Sequence, residues 1–167
     1  MIYGDKNLFA VEMQLDNNSG GQWMLGKFCY WLNGERVGNF EDGTSLRDVY
    51  LQMAPILKTK NRNFNDIDLN YTEIHRAINE SIFGEECVIS NAADYLAAPP
   101  VDVFDGFKIF VFSKEDDKYI ITYQKEDCEI NFTCLPRTKF LETLHQSYEE
   151  MERIYEETIN AAPEINN

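Results

Sequence analysis

The dipeptide Asn33-Gly34 restricts this chain more than any other feature. A two-residue type I′ hairpin turn needs positive φ at both central positions, and Asn-Gly meets that need at the least steric cost. It is flanked by Gln22–Leu32, a run apolar on both faces and rich in aromatics (Trp23, Phe28, Tyr30, Trp31), and by the short Arg36–Phe40. Upstream, residues 8–15 alternate, with Phe9, Val11, Met13 and Leu15 on one face and Ala10, Glu12 and Gln14 on the other, the pattern of a half-buried strand. Asp16 to Gly21 is turn chemistry. The result is an antiparallel meander whose second strand is central, with Trp31 expected in the core.

Helical spacing follows. Ser45 with Asp48 three residues on reads as an N-cap in capping-box spacing, ahead of the stripe Leu46, Val49, Tyr50, Met53, Leu57, and Pro55 should kink or end this helix near its last turn. Lys58 to Asn63 is a basic loop, read as solvated. A second helix is expected over Thr72–Phe83, with Ile74, Ala77, Ile78 and Ile82 inward and Gly84 as its stop. Residues 85–106 are irregular, with a short helix within Asn91–Ala98. A second meander spans Gly106–Ser113, Lys118–Gln124 and Glu129–Leu135, and a long amphipathic helix runs from Thr138 to Ala161, after which the chain should fray. The order β-β-β-α-α-β-β-β-α, with strands in antiparallel runs and helices after them, is that of an α+β fold, read as one domain over residues 1–167. The two meanders could join in one sheet.

The balance of charge is uneven. Residues 1–63 hold seven acids and seven bases, whereas residues 64–167 hold 22 acids and 8 bases, so the whole net charge of −14 lies in the second part. Such a surface repels nucleic acid and anionic membranes and suits a basic protein partner. An apolar content of 44% argues for a packed core despite the charge. No stretch reaches the roughly 18 apolar residues of a membrane span, and Met1 to Lys6 lacks the layout of a secretory signal, so a cytoplasmic location is expected. Cys29, Cys87, Cys128 and Cys134 form no C-x-x-C pair and are expected as buried or half-buried thiols.

Motifs for catalysis are lacking: G-x-S-x-G, P-loop and G-x-G-x-x-G patterns are absent from the sequence. His75 and His145 do not supply a zinc site, and Glu142-x-x-His145 is only half of a di-iron pattern because Thr72 stands where a glutamate should precede His75. No cofactor and no metal are expected. Binding features are better represented. Glu149, Glu150 and Glu152 lie along the last helix, Asp116-Asp117 and Glu126-Asp127 sit in the turns of the second meander, and Glu85-Glu86 follow the second helix. Asp94-Tyr95 and Phe104-Asp105 place aromatics beside acids, a combination that can anchor and steer a basic partner.

Several of these features recur in one known family. Met1-Ile2-Tyr3-Gly4-Asp5 leads into the alternating strand and glycine turn, followed by Gly26-Lys27-Phe28-Cys29-Tyr30-Trp31-Leu32-Asn33-Gly34, then Val37-Gly38-Asn39-Phe40, then Thr44-Ser45-Leu46-Arg47-Asp48-Val49. In this order they resemble the immunity protein 42 family of bacterial polymorphic toxin systems over residues 1–55. Gly26, Trp31, Gly34, Gly38 and Ser45 have structural explanations (bulge, core, turn, close packing and cap) and mark a fold, not a site. The resemblance implies a non-enzymatic cytoplasmic antidote, made beside a toxin and blocking it by direct binding. The charge adds a basic toxin domain, such as a nuclease, as the expected partner. Two other classes stay open, an acidic adaptor with no toxin and a hydrolase built on a pair of carboxylates; a neighbouring toxin gene discriminates among the three.

Overall fold

The computed structural model describes residues 1–59, 62–64, 68–115 and 117–160. Among the described residues, eight strands and three α-helices form two antiparallel sheets and a shared interior. In the first sheet β1 (Ile2–Asp5), β2 (Phe9–Leu15), β3 (Leu25–Leu32) and β4 (Glu35–Val37) lie in that order, and β5 (Thr44–Ser45) also pairs with β3. β3 is therefore the central strand, as its two-sided apolarity implied. Asn33 and Gly34 have φ of 52° and 82°, the type I′ signature. β1 is not legible in the sequence because its four mostly exposed residues show no usable alternation. Residues 22–24 do not join β3: Gly21–Trp23 form a 3₁₀ turn and Met24 is left-handed, with φ 51°.

Helix α1 (Leu46–Lys58) starts at Ser45, whose Oγ accepts the Asp48 N–H at 3.2 Å; the reciprocal half of a capping box is not made, because the Asp48 carboxylate accepts from Arg47. Pro55 is tolerated one turn from the end. Ile56, not Leu57, completes its buried stripe. α2 (Tyr71–Phe83) carries the full capping box, between Asn70 and Glu73. α2 starts one residue before Thr72, because Asn70 and Glu73 form the capping box.

The second sheet is β6 (Phe107–Glu115), β7 (Lys118–Lys125) and β8 (Asn131–Pro136), in that order and separate from the first. One face, with Ile109, Val111, Tyr119, Ile121, Tyr123 and Leu135, shares a hydrophobic cluster with the first sheet, α1 and α3 (Arg137–Asn160). The opposite face, with Phe110, Phe112 and Ile120, packs against Ile74 and Ile78 of α2. Residues 96–106 run between the sheets. Tyr30 OH donates to the Ala97 carbonyl, the Asn39 N–H donates to the Val103 carbonyl, and Thr44 Oγ1 donates to the Asp102 carboxylate.

Three expectations are corrected. Trp31 is only half-buried and points away from the core, because its register partners Ala10 and Arg36 lie on the outer face of the sheet. Cys29 is buried, but Cys87, Cys128 and Cys134 are exposed: Cys87 and Cys128 lie outside the strands and Cys134 is on the solvent side of an edge strand. Arg62 is 1% exposed instead of solvated. Its Nε donates to the Asp94 carbonyl and its Nη2 to the Ile56 carbonyl in the last turn of α1, where the helix dipole favours a cation. Lys60 and Asn61 of that basic segment, and residues 162–167, lie outside the described residues.

Candidate functional site

The acidic clusters separate in space. α2 starts beside the far end of β6, where Lys114 Nζ donates to the Leu69 carbonyl, and finishes beside the near end, where Lys108 Nζ lies 5.5 Å from the Phe83 ring. Glu85 and Glu86 continue from that near end. Asp105 lies two residues before β6 there, and the turn after β7 brings Glu126 against Gly106, with the Glu126 N–H donating to the Gly106 carbonyl. Glu85, Glu86, Asp105, Glu126 and Asp127 are all exposed. Asp117 sits at the opposite end of β7, a strand of eight residues spanning about 25 Å. Asp116 lies outside the described residues.

The acids of α3 form a third group. Glu149 is exposed, but Glu150 and Glu152 have partners within the chain. Glu150 is held below the usual carboxylate range by its hydrogen bonds from Arg153, which also pairs with Glu157. Glu152 accepts from Tyr50 OH at 3.1 Å, and Tyr50 packs on Tyr148 and Tyr155. These side chains tie α1 to α3.

The two aromatic-acid pairs behave differently from the expectation. Phe104 is 6% exposed and packs on Phe28 and Tyr30, with ring centroids 6.0 and 5.0 Å away. It belongs to the core because the segment carrying it is pinned between the sheets, so it does not present its ring to a partner. Tyr95 is half-buried, packs on Phe64 and donates from its OH to the Asn63 carbonyl. Asp94 keeps an exposed carboxylate while its carbonyl holds Arg62.

Beside the gathered acids lies an apolar groove that sequence reasoning missed. Its volume is about 510 Å³, and its walls come from the last turn of α2, residues 96–101 and the start of β6. Nothing in linear order joins these three stretches; only the local signal of two prolines after Ala97-Ala98 hinted at a fixed extended wall. His145 is exposed, and Glu142 pairs with Lys139 instead. Among the described residues no cluster of His, Cys, Asp or Glu has the makings of a metal site. No described helix is long and apolar enough to cross a membrane.

The family model described as immunity protein 42 matches residues 1–150. The chain belongs to the immunity protein 42 family. It is therefore an immunity protein of the kind that accompanies toxins, as the motifs in residues 1–55 implied, and the match extends through both meanders into α3. No curated protein matches the chain. Among solved structures it is similar to the crystal structure of CdiI from Burkholderia dolosa AUO158, at a TM-score of 0.73 and 15% identity, over 90% of this chain and 99% of the other. At that identity the likeness is one of fold.

Proposed function

We propose that this immunity protein neutralises its toxin in the cytoplasm by direct, non-catalytic binding, and that the toxin docks at the end of the second sheet where β6 begins. The observation that carries this reading is the convergence there of Glu85, Glu86, Asp105, Glu126 and Asp127, exposed carboxylates from three separate stretches of sequence. They outnumber the nearby cations Lys108 and Lys125. The field they set up favours a basic partner, and a nuclease domain with a cationic cleft fits this chemistry. The neutral first meander serves as scaffold.

Co-expression with the toxin encoded beside the gene should restore growth, and the two proteins should co-purify. Exposed acids chiefly accelerate encounter, so E85K/E86K and E126K/D127K should slow association about tenfold at low salt and flatten its dependence on ionic strength. Glu149→Lys and Asp117→Lys, at the other two groups, should change it less than threefold. Equal effects from all four variants would place docking elsewhere, and a salt-independent rate would remove the electrostatic part of the reading.

A further inference from the structure

We infer that the groove beside these acids is the anchoring pocket for a large apolar side chain of the toxin, presented on a segment flanked by lysine or arginine. This rests on the docking reading above and adds what holds the complex once formed. The walls are Ile82 and Phe83 of α2, Leu96 and Pro99, and Phe107 and Phe110 of β6. Phe83 is 59% exposed at the lip, where its ring extends the apolar lining of the groove. About 510 Å³ falls within the roughly 300–1,000 Å³ of sites that bind compact groups.

Two observations say what fills it. The lining is apolar apart from Lys108 and Asp105, so a polar occupant would lose water without recovering hydrogen bonds. The rim is anionic: Glu85 and Glu86 lead away from Phe83, while Asp105 and Glu126 close the side near Gly106. An apolar side chain with cationic neighbours satisfies both, and an acidic segment is repelled. The pocket is also pre-shaped. The Ala97 N–H donates to the Ile109 carbonyl and the Ala97 carbonyl accepts from Tyr30, so the proline-bearing wall is fixed to both sheets before any partner arrives. Pre-organisation of this kind lowers the entropic cost of binding.

The division of labour is testable with the toxin domain encoded beside the gene, carrying an inactivating substitution, as probe. Phe83→Asp removes the apolar lip and adds negative charge. If the acids alone held the toxin, this variant would bind as well as or better than wild type. The pocket reading instead expects dissociation at least tenfold faster with association unchanged or quicker. Ala98→Trp, which fills the groove from its wall, should also speed dissociation at least tenfold, with circular dichroism and thermal unfolding confirming that both variants fold. Wild-type binding with dissociation within twofold for both variants would overturn the pocket and leave toxin neutralisation standing. Failure of wild type to bind at all would overturn the docking reading and this one with it. A concentration-dependent dimer of the protein alone, abolished by Phe83→Asp, would show that a second copy occupies the groove and would overturn it as well.

Discussion

The two sheets protect their outer faces in opposite ways. On the second sheet, Phe110, Phe112 and Ile120 are covered by α2, and His75 in that interface is fully buried. On the first sheet none of the described helices covers the outer face. A layer of its own side chains does so: Lys6 stacks over Trp31, Arg36 lies between Trp31 and Phe40, and Lys27 sits over Phe40. Glu12 accepts from Trp31 Nε1 and Lys6, and Glu41 pairs with Lys27 and Arg36. Burial opposes ionisation of Glu12, yet these hydrogen bonds and cations outweigh it and lower its pKa. Beneath the layer Ala10 and Cys29 are as buried as core residues. Alternating cations and aromatic rings can therefore exclude water as a helix does, while leaving charge at the surface. The cost is that each contact is individually weak and partly screened.

The largest effect that tests this contrast is under α2. Phe110→Ala leaves a cavity between helix and sheet and should cost about 3–5 kcal/mol in urea unfolding. A loss near 1 kcal/mol would mean that α2 rests loosely on the sheet and that the helix-covered face is the weaker one.

Next comes acid. Burial pushes the His75 pKa down to about 4 from the ordinary 6.5, and its Nδ1 is 2.9 Å from Thr122 Oγ1. The unfolded chain takes up this proton below about pH 6.5 and the folded chain only near pH 4. The stabilising effect of a neutral His75 is thus complete above 6.5 and fades as pH falls toward 4. Between pH 7 and 4.5 wild type should lose about 2–3 kcal/mol more than His75→Asn, with the carboxylates contributing equally to both. Parallel pH profiles would show that His75 protonates as easily folded as unfolded.

The smallest effect belongs to the uncovered sheet. Trp31→Ala opens the layer to water without enclosing a void, so it should cost about 1–2 kcal/mol, less than a core aromatic. A loss matching Phe110→Ala would erase the distinction between the two faces.

What was legible in the sequence follows from the range of the signals. Asn33-Gly34, Ser45 and the alternation of residues 8–15 act locally, and each element they announce is present. The long stripe of α3 likewise identified a helix. The side of Trp31 is not legible, because β3 is apolar on both faces and alternation cannot say which face is inward; the pairing Trp31↔Arg36 reveals it. The proposed docking residues are half legible. Runs of acids are visible in order, but their grouping depends on the antiparallel path of β6 and β7 beside α2, which puts Glu126 next to Gly106 and Asp117 a strand length away. Phe104 lies in an irregular segment, and such segments usually run outside, whereas this one is threaded between two sheets.

The threading of residues 96–106 limits where this protein can drift. Substitutions at Ala97 or Val103 disturb side-chain and backbone contacts on which both sheets depend, so most changes there are lost through misfolding before partner choice can be tried. Phe83, Pro100 and Glu85 are exposed and lie outside that frame. With the toxin docked where we propose, substitutions at those positions change the surface it meets while the frame behind them stays constant.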